Sequence, residues 1–315
     1  MTVLYLDRNT LKLEKEGRSL VIRDHQERIT TVPLHMLERI VIRGKLQLTS
    51  NLLYQLVDEG VQVAVLGRRS EQLALVHGSP GPDGRRRLAQ YRLYHDSAWR
   101  MDWSVFIVNI KLRQQYRLLN RLRGQRPDLR LPLVQGMDKI DNTLKKLRSR
   151  AVRDIEQLMG MEGAAAKIYF GVLTHVFPKS LDFQGRNRRP PKDPVNASLS
   201  LGYTLLHSEL TLACLARGLD PFIGFYHEPD HGRESLAADL MEPLRPEIDG
   251  WIHELFRNRE LRGHHFHKKG KACLLGKKGR GIFYRAWEIH ARPLRSRIRR
   301  HMNTVVRAIK EGASQ

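Results

Sequence analysis

The stretch Phe225 to Pro246 places one imidazole, His227, and two carboxylates, Asp239 and Glu242, close together in the chain. A glycine-containing turn follows His227, Ser235 stands in a good N-cap position, and a short amphipathic helix after it carries both acids. Acids three residues apart project from one helical face and repel. An outside positive partner relieves that repulsion, either a divalent cation or the nearby Arg233 and Arg245. One histidine and two carboxylates form an oxygen-rich ligand set that suits magnesium or manganese better than structural zinc. An exposed acidic turn at a helix start is the plain alternative, and this pattern alone leaves both open.

Glu162 supplies the deciding signal. Along Ile155, Leu158, Met159, Glu162, Ala165, Ala166 and Tyr169 the spacing is three or four throughout, so the acid lies within an apolar helical stripe. A carboxylate there must be paired, with an arginine or with a metal. Gly160, Gly163 and the alanines 164 to 166 carry little bulk and predict close approach by another element. A glutamate on one helix and a histidine-plus-acid set on another is one way helical domains build metal sites.

These segments together resemble the CRISPR adaptation integrase, the Cas-one family, also described as a CRISPR-associated endonuclease. Met161-Glu162-Gly163, Asp193-Pro194-Val195-Asn196-Ala197, Gly224 to His227 and Ser235 to Pro246 look like its motifs in the family's order, and the similarity runs to about Trp287. The resemblance implies Glu162, His227 and Glu242 as ligands of magnesium or manganese, Asp239 as a supporting acid, and Asn196 close to the site. It further implies a homodimer bridged by the small Cas-two protein and acting on DNA.

The whole chain agrees with a polyanionic partner. Its 315 residues are enough for two domains, and 55 Lys+Arg against 33 Asp+Glu give a net charge of +22. With a pI near 10.4, nucleic acid comes first among partners. No run of about 18 apolar residues suggests a membrane span, and the N-terminus lacks a signal-peptide pattern. Cys214 and Cys273 form no CxxC pair, which fits a reducing, cytoplasmic setting.

Residues 1–77 read as a β-rich scaffold and dimerisation domain. Apolar residues alternate at Val3, Tyr5, Leu11, Leu13, Leu20, Ile22, Ile40, Ile42, Val61, Val63, Val65, Leu73 and Leu75. Helical spacing interrupts this from Ser50, a possible cap, to Glu59, and Gly60 ends that helix. His35 and His77 read as surface or core residues. Residues 78–84, Gly-Ser-Pro-Gly-Pro-Asp-Gly, predict a linker.

Residues 85–315 predict an α-helical catalytic domain: one or two helices over 85–123, a loop over 125–136 because of Pro127 and Pro132, then helix again. His207 reads as a core histidine. Residues 178–194 predict a mobile basic loop with Arg186, Arg188 and Arg189 as candidate DNA contacts. The run after Arg257 adds Lys268, Lys269, Lys277, Lys278 and Arg280 on glycine-loosened backbone, while His264, His265, His267 and Cys273 fit no familiar zinc spacing. Arg292, Arg295, Arg299 and Arg300 lie close together on the last helix as a further basic grip.

The fold expected is α+β, a small β-rich N-terminal domain joined to a larger all-α domain that carries the metal site. Water as the attacking oxygen would make the site a nuclease for branched or single-stranded DNA, and a DNA 3′-hydroxyl would make it a strand-transfer integrase, which the resemblance favours. A DNA-binding scaffold without catalysis is the remaining class. The charge balance predicts that duplex binding weakens at least about a hundredfold between roughly 50 and 200 mM salt. Filter binding or fluorescence anisotropy across that range checks it, and a flat profile would remove phosphate contact as the basis of binding.

Overall fold

The computed structural model describes residues 2–67, 73–76, 78, 83–149, 152–187 and 190–313. The chain divides into two compact units, Met1–Pro82 and Asp83–Gln315. His77 and residues 79–82 of the expected linker lie outside the described residues, as do Arg188 and Arg189.

In the first unit, β1 (Thr2–Leu6), β5 (Leu37–Ile42), β6 (Gln62–Leu66) and β7 (Leu73–Val76) form one sheet in that order, with β7 antiparallel to β6 and the other pairs parallel. A parallel pair needs a crossover, and between β5 and β6 that crossover contains α1 (Ser50–Asp58). Thr49 caps α1, its Oγ1 accepting from Leu52 N at 3.2 Å, in place of the expected Ser50. Gly60, at φ +76°, turns the chain out of the helix. Strands β2 (Leu11–Glu16), β3 (Ser19–Asp24) and β4 (Glu27–Pro33) make an antiparallel meander. The alternating residues Leu11, Leu13, Leu20, Ile22, Ile40, Ile42 and Val63 share one core with Leu52 and Leu56 of α1.

The second unit is built from α2 (Gly84–His95), α3 (Ser97–Gln125), α4 (Arg130–Arg148), α5 (Ile155–Val176), α6 (Pro194–Ala216), α7 (Ser235–Met241), α8 (Arg245–Arg257) and α9 (Lys277–Gly312). A hairpin, β8 (Phe266–Lys269) and β9 (Ala272–Leu275), interrupts the helices where the sequence suggested loose backbone, and Gly270 at φ +59° makes its turn. The expected loop over 125–136 is mostly helix. Pro132 sits in the first turn of α4, where amide hydrogens have no intrahelical partner to lose.

Helix α6 is buried on nearly every side, as its apolar sequence requires. It packs on α7, α8 and α9, while α3 packs on α4, α5 and α8. Close approach is real at Gly202, where a Cβ would come within 2.8 Å of Ile248, and at Gly136, within 2.5 Å of Val172. It does not occur at Gly160 or Gly163, which face open space, so these two glycines leave room beside Glu162 and bring no element close. Among the described residues no helix is long and apolar enough to cross a membrane.

His253 on α8 is buried against the edge of Phe177, with ring centroids 5.7 Å apart. Burial lowers its pKa to about 4. The unfolded chain, with an ordinary value near 6.5, binds the proton first, so this contribution to stability is present above pH ~6.5 and is lost as pH falls toward ~4. Replacing His253 by Phe should remove about 2 kcal/mol of that acid sensitivity between pH 7 and pH 5. Urea unfolding of both proteins at pH 7 and pH 5 measures it, and parallel losses in the two would refute it.

Candidate functional site

The site begins with Asp239, which has no solvent exposure. Its Oδ2 accepts from Phe225 N at 2.7 Å and Tyr226 N at 2.9 Å, and its Oδ1 from His227 N at 2.9 Å. The same Oδ1 lies 2.8 Å from His227 Nδ1. One carboxylate thus folds the 225–227 loop onto α7 and turns the imidazole so that Nε2 is left over. Gly224 is required beside it, because a Cβ there would meet Ser235 backbone at 2.7 Å and His227 O at 2.9 Å. Ser235 does not cap α7. It is the first helical residue, and its Oγ donates to Glu228 O at 2.9 Å.

The other side of the loop is tied to α2 and α3. Gln90, fully buried, donates to Asp220 O at 2.8 Å and Ile223 O at 2.7 Å. Arg100 donates to Phe225 O at 3.1 Å and pairs with Glu228, which also accepts from Tyr94 Oη at 2.9 Å. None of these partners was expected from the motifs.

Glu242 lies in a 3₁₀ turn just after α7 and is buried. Although three residues from Asp239, it has entirely separate partners. Its Oε1 accepts from Arg245 Nε at 2.8 Å, and its Oε2 accepts from Lys111 Nζ of α3. The same ammonium donates to Glu162 Oε1 on α5, whose side chain is 19% exposed. Glu162 and Glu242 therefore meet at one cation. Burial opposes ionisation of Glu242, but Arg245 and Lys111 outweigh it and hold its carboxyl well below the usual carboxylate range. His227 contributes least to that lowering. Tyr226 senses the same group: burial first, then the charges of Glu162, Glu242 and Asp239, push its phenol well above the ordinary value.

Behind Glu242, the Arg245 guanidinium lies over the Tyr203 ring, 4.7 Å from its centroid. Tyr203 and Tyr169 both donate to the buried Asp249, the latter at 2.7 Å. Burial pushes the Asp249 carboxyl up to about 6, partly offset by the two tyrosine hydroxyls.

Asn196 lies in the first turn of α6. Asp193 caps α6, accepting from Asn196 N at 2.8 Å, with Pro194 at the first helical position. Asn196 Oδ1 accepts from Asn187 N and Arg186 Nη1, both at 2.9 Å, and its Nδ2 donates to Gly185 O at 2.8 Å and Asp193 Oδ2 at 2.6 Å. It holds the 185–187 loop on the start of α6, so this motif is locally a capping and loop-fixing device.

The basic candidates divide. Arg186 is engaged by Asn196 and Ser200, and Arg280 donates to Leu275 O at 2.9 Å, so neither simply faces solvent. Lys268 and Lys269 on β8, and Lys277 and Lys278 at the start of α9, are exposed. Cys273 N donates to Pro191 O at 2.7 Å, which joins this hairpin to the 185–193 loop. Arg295 is buried between Glu209 and Glu288, so it leaves the expected basic grip on α9, whereas Arg292, Arg299 and Arg300 are exposed.

Three comparisons bear on this arrangement. Residues 4–289 match the family model described as CRISPR associated protein Cas1. The chain is 33% identical over 290 residues to a CRISPR-associated endonuclease Cas1 of Thermodesulfovibrio yellowstonii, covering 91% of each chain. Among solved structures it is similar to a casposase bound to integration product, with a TM-score of 0.78 at 24% identity over 91% of this chain and 82% of that one. A Cas6-RT-Cas1–Cas2 complex gives 0.82 at 20% identity over 99% of this chain and 35% of its match. The last two likenesses concern the fold.

Replacing Asp239 by Asn would turn an amide NH2 toward backbone N–H donors whichever way it faces, or leave one of them unpaired. The expected cost is about 2–3 kcal/mol, as for a charged acceptor lost to buried donors. Chemical denaturation measures it, and a loss under ~0.5 kcal/mol would show that this carboxylate does not anchor the loop.

Proposed function

The chain belongs to the CRISPR-associated Cas1 family, and from that premise we propose that it is a divalent-metal-dependent DNA integrase. It joins short foreign DNA to a CRISPR array by attack of a DNA 3′-hydroxyl on a phosphodiester of the repeat. The observation that carries this reading is the convergence of Glu162 and Glu242 on one cation, beside an imidazole whose Nδ1 is fixed by Asp239.

The donor set suits magnesium or manganese: two carboxylates from different elements and the remaining nitrogen of His227. Bound by Glu162, His227 and Glu242, such an ion would supply a Lewis acid for a phosphodiester oxygen and would favour ionisation of an attacking hydroxyl. The chain's own residues do the rest. Asp239 orients the imidazole, as partners of metal-binding histidines do. Arg245 keeps Glu242 ionised. The exposed Lys268, Lys269, Lys277 and Lys278 contact phosphates and set the position of the DNA without reading its sequence.

Direct transfer needs no protein nucleophile. Burial pushes the phenols of Tyr169, Tyr203 and Tyr226 and the Cys214 thiol above their ordinary values, which makes them poor nucleophiles. The casposase in the structural comparison is bound to integration product, and a family relative occurs with Cas2 in a complex. By analogy this chain works as a homodimer with a Cas2 protein on double-stranded and branched DNA.

The test supplies a labelled short duplex with free 3′-hydroxyls, a supercoiled plasmid carrying a repeat, manganese or magnesium, and Cas2. Joining should require metal, the 3′-hydroxyl and Glu162, and Glu162→Ala should lower its rate by on the order of 10²-fold or more while leaving duplex binding intact. Cutting without joining would assign hydrolysis instead, and full joining by the Glu162→Ala protein would overturn the site.

A further inference from the structure

Lys111 is the residue the motifs do not explain. It lies on the buried face of α3 with Ser104, Ile107, Val108, Leu112 and Gln115, and is only 7% exposed. Lysine is almost never buried without a partner. Here the partners are two, Glu162 Oε1 and Glu242 Oε2, and they come from separate elements. They are also the oxygens that face each other across the gap in which a shared metal would have to sit.

An ammonium and a metal ion cannot share that gap. An ammonium nitrogen stands about 2.7–2.9 Å from carboxylate oxygens, whereas magnesium demands near-ideal octahedral contacts of about 2.0–2.1 Å.

The two cations on Glu242 differ in how firmly they are held. Arg245 takes the other oxygen, Oε1, and its guanidinium lies over the ring of Tyr203, which is itself fixed by Asp249. Lys111 touches the acids only through the end of a flexible four-carbon stem. Arg245 is therefore fixed, and Lys111 is the cation that can leave.

We propose that Lys111 is a tethered counter-ion of the metal site: in the metal-free protein its ammonium bridges Glu162 and Glu242, and a divalent cation binds only by displacing it. This rests on the reading of Glu162 and Glu242 as metal ligands. The bridge keeps two carboxylates, one of them buried, facing each other without repulsion, and it weakens metal binding by the fraction of time the site is closed. A site closed nine-tenths of the time or more raises the apparent Kd about tenfold or more.

The experiment titrates Mn²⁺ alone into the full chain by calorimetry and by electron paramagnetic resonance of the free ion. The proteins are the unaltered chain, Lys111→Met, Lys111→Arg and Glu162→Gln, with melting in EDTA as the companion measurement. Lys111→Met should bind Mn²⁺ about tenfold tighter or more. It should melt lower than the unaltered chain in EDTA and recover with Mn²⁺. Lys111→Arg, whose guanidinium fork would hold both acids and not give way, should bind Mn²⁺ more weakly than the unaltered chain, and Glu162→Gln should bind at least about tenfold more weakly.

Equal or weaker binding by Lys111→Met, with binding still lost in Glu162→Gln, would overturn the counter-ion and leave the ligand assignment standing. Mn²⁺ binding indifferent to Glu162→Gln would overturn the ligand assignment and the proposal with it. Should Lys111→Met not fold, Lys111→Gln removes the charge at similar length and is read by the same criteria.

Discussion

Carboxylates in a helical interior must be compensated where they stand, and the second unit is arranged around three of them. Glu162, Asp239 and Glu242 come from α5, α7 and the turn after α7, and the last two are buried. Each like charge would push the others apart in a medium of low dielectric constant. The chain meets this with three kinds of partner. Backbone amides and an imidazole serve Asp239, a guanidinium serves one oxygen of Glu242, and an ammonium joins the remaining oxygen to Glu162. Removing one partner would leave a buried charge, which costs far more than the intact pair contributes.

That requirement shapes the backbone around it. The 225–227 loop must come close enough to α7 for its amides to reach Asp239, and this forces glycine at 224. Gln90 and Arg100 hold the loop from the opposite side, so its position is set before any ligand arrives. Tyr203, Tyr169 and Asp249 give Arg245 a rigid backing in the same way. Ligand groups held on rigid elements and backed by further contacts are what a precise metal site requires.

Much of this was legible in the chain because burial leaves a periodic trace. Period two marked every strand of the four-stranded sheet, and helical spacing marked α1 and α5. Strand β4 escaped notice because Glu27 to Thr31 are exposed, so no alternation of burial exists to be read. The β8–β9 hairpin escaped because its lysines, histidines and glycine resemble flexible chain, although Cys273 and Leu275 face inward. At the site, His227, Asp239 and Glu242 stood out as polar residues close in sequence. Lys111 did not, since a lysine in a basic helix reads as surface. Its position was nonetheless marked: Ser104, Ile107, Val108, Leu112 and Gln115 put residue 111 on the inner face of α3.

The distribution of cations carries a final consequence. With a net charge of +22 the chain has positive groups to spare, and those at fixed interior positions differ in chemistry from those on the hairpin. Arginines serve fixed interior positions with several partners, as Arg245, Arg295 and Arg100 do, because a planar guanidinium can bind and stack at once. Lysines occupy the exposed hairpin and the start of α9, where hydrated point charges can exchange water and counter-ions for phosphate. Among the described residues Lys111 is the one lysine in the buried class. An arginine fork there would hold the acids in a fixed bidentate geometry. A lysine balances their charge through one mobile point, which keeps the apo site folded and leaves it open to exchange.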